Sequence, residues 1–252
     1  MDCSGNGNVS GVLLYAKTDE DITPDNDYMM GGKPGGIILS VIKLFWINPY
    51  LAECDAIITT VSGNLITLSQ TIAYAFEGGQ QSDIGTIGGY EILNAELINS
   101  EIFYTLNESH SLSVSDKVLV LIDWEKRYKI MRLHFAAELV LEALYQNYNH
   151  PEKIGANITY DKARVDFYWE GNISETFEFL EAKLKGIIKA DLEIISSFSD
   201  EENERRYWEI KGFAKVDCGG THIRKTGEIG TLKLKRANPG KGKERIEIYL
   251  CD

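Results

Sequence analysis

EKRYKIMRLHFAAELVLEALYQN, residues 125–147, contains neither proline nor glycine. Its apolar residues Ile130, Leu133, Ala137, Leu141 and Leu144 return at intervals of three and four, the period of one helix face. Pro151 ends the run. A long amphipathic helix is predicted, and it divides the chain into two kinds of pattern. Upstream, IKLFW, DAIITTV, NLITLSQTIAYAF, GTIGGYEILNAEL and KVLVLIDW are rich in β-branched and aromatic residues and broken by Gly and Asn. They read as short antiparallel strands of a small barrel or sandwich. Downstream, RVDFYW reads as a strand and Ser174–Ile195 as a second helix, with Asn172 and Glu175 spaced like a capping box. YWEIKGFAKV reads as a further strand, and Gly230–Lys235 and Arg245–Tyr249 as two closing strands. The predicted class is α+β: an N-terminal small β-barrel-like domain over residues 41–124, then an α+β domain over residues 125–252 with long helices on an antiparallel sheet. Residues 1–40, rich in Gly, Asp and Asn, read as a flexible or non-native extension.

Composition narrows the functions. The chain has 252 residues, 44% hydrophobic and 25% charged, an ordinary globular balance that argues against disorder and fibrous repeats. Its 26 basic and 38 acidic residues give a net charge of −12. That excludes a wholly basic nucleic-acid coat but not a local basic patch. Cys3, Cys54, Cys218 and Cys251 are too scattered for a disulfide scaffold and suit reduced thiols or a metal ligand in a cytoplasmic protein. The first residues lack the basic and apolar regions of a signal peptide. The longest apolar stretch, from Gly36 to Ile42, falls far short of the ~20 residues that span a bilayer. No membrane partner is expected, and the sequons at Asn107, Asn157 and Asn172 then carry no meaning.

Three features could carry chemistry. His134 and Glu138 stand four apart on the predicted helix and share a face. Cys218 and His222 are also four apart, in Cys218-Gly-Gly-Thr-His222. Two imidazoles, a carboxylate and a thiolate suit Zn²⁺. Either pair alone is as well explained by a packed histidine or a small buried thiol; the combination is more specific. The second feature is the turn Phe76-Glu-Gly-Gly-Gln-Gln-Ser-Asp83, whose glycines allow positive φ and close backbone approach, to a phosphate or simply within a hairpin. The third is a basic run holding Arg224, Lys225, Lys233, Lys235, Arg236, Lys241, Lys243 and Arg245 against Glu228 and Glu244. It is either a phosphate-binding face or a solvated strand face.

Together these motifs resemble the AlaX family, free-standing relatives of the alanyl-tRNA synthetase editing domain. LFWINPYLAECDA is similar to the family's opening strand. TIAYAFEGGQQSDIGTIGG resembles its T-x-F-Y-P-E-G-G-G-Q-P-x-D-x-G-x-I stretch. IDWEKRYKIMRLHFAAELV resembles its D-W-x-R-R-x-x-x-M-R-x-H-T-A-x-H-L-L helix, and VDCGGTHIRKTGEIGTLKL its C-G-G-T-H-V-x-x-T-G-E-I-G signature. The resemblance covers roughly residues 43–250.

What the resemblance implies is trans-editing: hydrolysis of the ester of mischarged tRNA(Ala), carrying Ser or Gly, with Ala-tRNA(Ala) spared. The second domain would then be an editing domain. The family's zinc ligands fall on His134, Cys218 and His222. Its fourth ligand, a histidine, falls on Glu138. Its functional glutamine falls on Gln80, and the threonine that senses the serine hydroxyl on Thr71. Phe76, Glu77 and Gln81 depart from the glycine motif. The expected chemistry is metal-assisted ester hydrolysis, with Gln80 and backbone N–H groups stabilising the oxyanion and Thr71 favouring serine. The tRNA acceptor end would lie against Arg224, Lys225, Lys233, Lys235 and Arg236. Two other readings stand beside this one: a zinc-stabilised tRNA-binding module without catalysis, and a metal hydrolase of small aminoacyl esters. The sequence leaves the oligomeric state open.

Overall fold

The computed structural model describes residues 41–251. The reading of residues 1–40 as an extension lies outside the described residues. Along Lys117–Ile122, Val118, Val120 and Ile122 point inward while Lys117, Leu119 and Leu121 face out, the two-residue period of a half-buried strand. This strand belongs to a seven-stranded antiparallel sheet. Its spatial order is Tyr90–Glu91, Gly85–Ile87, Lys117–Ile122, Glu53–Ser62, Leu65–Leu68, Glu101–Thr105 and Asn94–Ile98. Glu53–Ser62 pairs with Lys117–Ile122 through its first half and with Leu65–Leu68 through its second, with a register break between Ile58 and Thr60. A bulge of this kind bends a strand and sharpens its twist. The sheet curls into a half-barrel around a first core that includes Ile58, Ile66, Ile87, Tyr104 and Val120.

IKLFW is not one strand. Ile42–Lys43 is extended and pairs in parallel with Gln70–Thr71, and Leu44–Ile47 then turns into a short helix, α1. The neighbours Phe45 and Trp46 are both buried, which a strand's alternation forbids and a helical turn permits. Phe45 meets Tyr74 edge-on at 5.2 Å.

Trp124–Asn147 forms α2. Asp123 caps it, its Oδ1 accepting from the Lys126 N–H at 3.1 Å. The predicted single apolar stripe is exceeded: Ile130, Met131, Leu133, Phe135, Ala136, Leu139, Val140 and Ala143 are all buried, so the helix is enclosed on most sides. Its second half belongs to a second core, with a four-stranded antiparallel sheet ordered Lys153–Ile158, Ala163–Tyr168, Lys243–Leu250 and Leu232–Gly240. The predicted second helix is a 3₁₀ turn, Ile173–Thr176, followed by α3, Phe177–Lys189. Asn172 does cap it, its Oδ1 accepting from the Ser174 N–H at 3.0 Å. Ile195, expected in that helix, opens the strand Ile195–Asp200. This strand forms a three-stranded sheet with Arg205–Ile210 and Ala214–Asp217. YWEIKGFAKV is thus a hairpin rather than one strand: Gly212 has φ +80°, and the Phe213 N–H closes the turn on Ile210 O at 2.9 Å.

The class is mixed, with antiparallel sheets and few helices, as α+β requires. The glycine turn joins the two cores. The Ile158 N–H donates to Gly79 O at 2.8 Å, and the Gln81 N–H to Ile158 O at 2.9 Å. Gly79 sits at φ +89°, where a Cβ would overlap the carbonyl oxygen of Ala156, so only glycine closes this seam. Among the described residues no helix is long and apolar enough to cross a membrane.

Candidate metal centre

Helix α2 carries His134 near its middle and Glu138 one turn on. The turn leaving Ala214–Asp217 brings Cys218 and His222 against them. His134 Nε2 lies 3.2 Å from Cys218 Sγ, and His222 Nε2 lies 3.3 Å from the same sulfur. The ligand atoms of these three residues all fall within 4.8 Å of one another. Glu138 stands outside that compact group, yet its Oε1 is 3.5 Å from His134 Nε2 and 3.7 Å from Cys218 Sγ. Donors around a tetrahedral ion with bonds of about 2.0–2.3 Å stand about 3.3–3.8 Å apart. The observed separations are close to those edges. The donor set could therefore hold a metal, with Glu138 at the rim of the shell.

The groups behind the donors fix their orientation. Gln80 is fully buried. Its Oε1 accepts from the Thr221 backbone N–H at 3.1 Å, and its Nε2 donates to Thr221 Oγ1 at 2.9 Å. A backbone N–H can only donate, so the atom it meets is the carbonyl oxygen. That same Oε1 lies 2.8 Å from His134 Nδ1, which must carry the proton and so commits Nε2 to the donor cluster. Ser196 Oγ lies 2.9 Å from His222 Nδ1, and the Trp208 indole donates to Glu138 Oε2 at 3.1 Å. Gly220 packs on the His134 ring: a Cβ there would overlap Cε1 and come within 2.8 Å of Nδ1 and 2.9 Å of Gln80 Oε1.

Charge at the cluster is uneven. Burial lowers the His134 pKa, but the Cys218 sulfur and the Glu138 carboxylate outweigh burial and push it up to about 10. Burial raises that of Glu138, and its contacts with His134 and Trp208 more than reverse the effect. His222 is held well below the usual histidine range by burial, then by His134 and Arg206. His134 Nε2 thus faces a carboxylate and a sulfur, both of which favour the charged imidazole. A divalent cation bound there would compete with a proton at Nε2 and leave the one facing Gln80 in place.

A cavity of about 270 Å³ opens beside the cluster, lined by His134, Glu138 and Cys218 together with Tyr74, Glu77, Lys153 and Asp217. Burial raises the Glu77 pKa, against the pull of Lys43. Not every expected residue reaches this cavity. Gln80 backs His134 from outside it. Thr71 is buried in the first core, its hydroxyl 2.8 Å from that of Tyr104 and accepting from the Ala73 N–H at 3.0 Å. The basic run is partly neutralised. Arg236 bonds the Glu244 carboxylate through Nε and Nη2 at 2.5 Å each. Arg245 bonds Asp166 at 2.6 and 2.9 Å, and Lys225 faces Asp191 at 3.3 Å. Lys233 and Lys235 have no ion pair among the described residues, and Arg224 lies over the Tyr50 ring at 4.3 Å.

A buried ion pair holds the glycine turn to the helix. Arg127 is fully buried on α2 and pairs with Asp83 of the glycine turn, Nε to Oδ1 at 2.8 Å. It also donates to Pro49 O at 3.1 Å and Ile72 O at 2.6 Å. Asp83 in turn accepts from the Tyr74 N–H at 2.6 Å. The pair locks the turn that carries Gln80 onto the helix that carries His134. Both residues lie inside the motif stretches quoted above, but only the tertiary contact reveals their partnership.

The turn that carries Cys218 and His222 also places the molecule in a class. Residues 210–247 match the threonyl and alanyl tRNA synthetase second additional domain. The chain is 32% identical to the alanyl-tRNA editing protein AlaX-M of Pyrococcus horikoshii, over 82% of this chain and 97% of that protein. It is 30% identical to the AlaX-M of Methanosarcina mazei, over 83% and 96%. It is also 29% identical to the alanine–tRNA ligase of Methanococcus aeolicus, over 81% of this chain but 25% of the ligase. The chain belongs to the AlaX family of alanyl-tRNA editing proteins.

Proposed function

We propose that this protein is a trans-editing hydrolase that removes serine, and glycine, from mischarged tRNA(Ala) by metal-assisted ester hydrolysis. The observation that carries the reading is the convergence of two imidazole Nε2 atoms on the Cys218 sulfur, at 3.2 and 3.3 Å, on the wall of a cavity. The resident ion is zinc, held by His134, Cys218 and His222, with Glu138 in reach as a fourth donor. Zinc supplies Lewis-acid polarisation when bound. Gln80 is a positioning residue, since its amide is engaged by His134 and Thr221. It keeps His134 in the tautomer that ligates through Nε2. Glu138 either completes the shell or, standing off it, serves the cavity as a base. Glu77, whose burial favours its neutral form, lines the same cavity. Thr71 acts through the packing of the first core, since its hydroxyl faces Tyr104. The acceptor end of tRNA(Ala) meets phosphate contacts from Arg224, Lys233 and Lys235, and binding weakens steeply with salt.

The test is deacylation of tRNA(Ala) charged separately with Ser, Gly and Ala, with and without chelator. Loss of Ser or Gly, sparing of Ala and arrest by chelator are expected. Folded, zinc-loaded protein that hydrolyses none of the three would overturn the reading. Glu138 favours one alternative. With Oε1 at 3.5 and 3.7 Å from two donors, four protein ligands would close the shell, as in a structural site, and the protein would bind tRNA without catalysis.

A further inference from the structure

A second cavity, of about 210 Å³, lies on the other side of the Cys218–His222 turn; Trp46, Asn48, Ser196, Arg206, His222 and Arg224 are among its lining residues. No aspartate or glutamate lines it, in a chain of net charge −12. Arg206 is only 5% exposed. Its Nη1 donates to Gly220 O at 3.3 Å and its Nη2 to Trp46 O at 3.1 Å, while its Nε has no partner. The Trp46 and Phe198 rings lie 5.4 and 5.2 Å from its guanidinium. Among the described residues no carboxylate pairs with it. The other fully enclosed arginine, Arg127, has Asp83. The acidic group that most favours its charged form is the Cys218 sulfur; a buried guanidinium held by carbonyl dipoles, ring faces and a thiol has no carboxylate counter-charge. At the mouth, the Arg224 guanidinium bonds Asn48 Oδ1 at 3.3 Å and also lines the cavity.

We propose that this cavity is an oxyanion site that takes a phosphate group, held by Arg206 and Arg224 with Asn48 and Ser196 beside them. A guanidinium fork matches a tetrahedral oxyanion better than a point cation does. The inference goes beyond ester hydrolysis: its nucleic-acid arm rests on the tRNA reading above, its free-phosphate arm does not, and the site adjoins the candidate metal cluster through His222. Ser196, which meets both the cavity and His222 Nδ1, couples the two. The phosphate is either a backbone phosphodiester of a nucleic acid or free phosphate.

Two probes separate these sources: inorganic phosphate and the trinucleotide CCA, each titrated calorimetrically into the folded full chain, zinc-loaded and chelated. Metal-free protein excludes binding at the zinc. Saturable binding to the chelated protein is expected, weakened about tenfold or more by Arg206→Met and severalfold by the exposed Arg224→Ala. The ligand should also raise the melting temperature of the native chain and leave that of Arg206→Met unmoved. Arg224→Ala keeps the test sound if Arg206→Met fails to fold. Binding of CCA alone assigns the site to nucleic acid, and binding of phosphate alone to free phosphate. No binding of either probe by folded protein, or binding unchanged in Arg224→Ala and in any folded Arg206→Met, would overturn the proposal.

Discussion

The two cores differ in what they give the metal centre. The second core and α2 carry the candidate donors His134, Cys218 and His222, with Glu138 at their rim. The first core supplies no donor but much of the alignment. Gln80 sets the His134 tautomer, Asp83 anchors α2 through Arg127, and the Trp46 indole donates to Gly219 O at 2.7 Å. Part of the orientation of His134 is thus lodged outside the part of the chain that bears the candidate donors, while Ser196 and Trp208 orient His222 and Glu138 from within it. A donor change should alter whether metal is held at all, and an orienter change how tightly.

Variants can break that division or sharpen it. The largest effect is expected from Cys218→Ala, which removes the donor shared by both imidazoles. Metal content after dialysis should fall to near zero, read by elemental analysis beside circular dichroism. Asp83→Asn should come next, leaving Arg127 charged, enclosed and unpaired at a cost of about 3–5 kcal/mol; denaturant unfolding measures it. Gln80→Met keeps all donors and should weaken zinc affinity about 10–100-fold with little change in fold, read by competition with a chromophoric chelator. Wild-type affinity in Gln80→Met would place orientation with the donors after all. The smallest effect is expected from Lys233→Glu with Lys235→Glu, both exposed on the outer face of the strand Leu232–Gly240. tRNA affinity should drop severalfold, and the slope of log K against log salt should fall by about 2, with metal content untouched.

Legibility followed the range of the forces involved. The span of α2 is readable because a 3.6-residue apolar period free of Pro and Gly is a local signal. The candidate donors form two local pairs, His134 and Glu138 on one helix and Cys218 and His222 in one turn, and packing brings the pairs together. α1 was misread because IKLFW has strand composition, while burial of both Phe45 and Trp46 decides the helix. The helix predicted to reach Ile195 stops at Lys189, since Ile195 pairs with Glu209 instead. The basic run reads as a phosphate-binding or a solvated strand face, because nothing local tells that Arg236 meets Glu244 across a hairpin or that Arg245 meets Asp166 on a neighbouring strand. The Asp83–Arg127 pair and the lone Arg206 are likewise products of tertiary packing.

The separations within the centre have a consequence for biosynthesis. His134 and Cys218 are 84 residues apart, Gln80 and Thr221 141, and Trp46 and Gly219 173. Closing loops of that size costs entropy before any of these contacts returns energy, so core burial must bring the donors together. A ribosome still short of Cys218 has made a helix bearing His134 and Glu138 but neither of their partners. The nascent chain therefore offers no complete ligand set to a competing metal until Cys218 and His222 have been made.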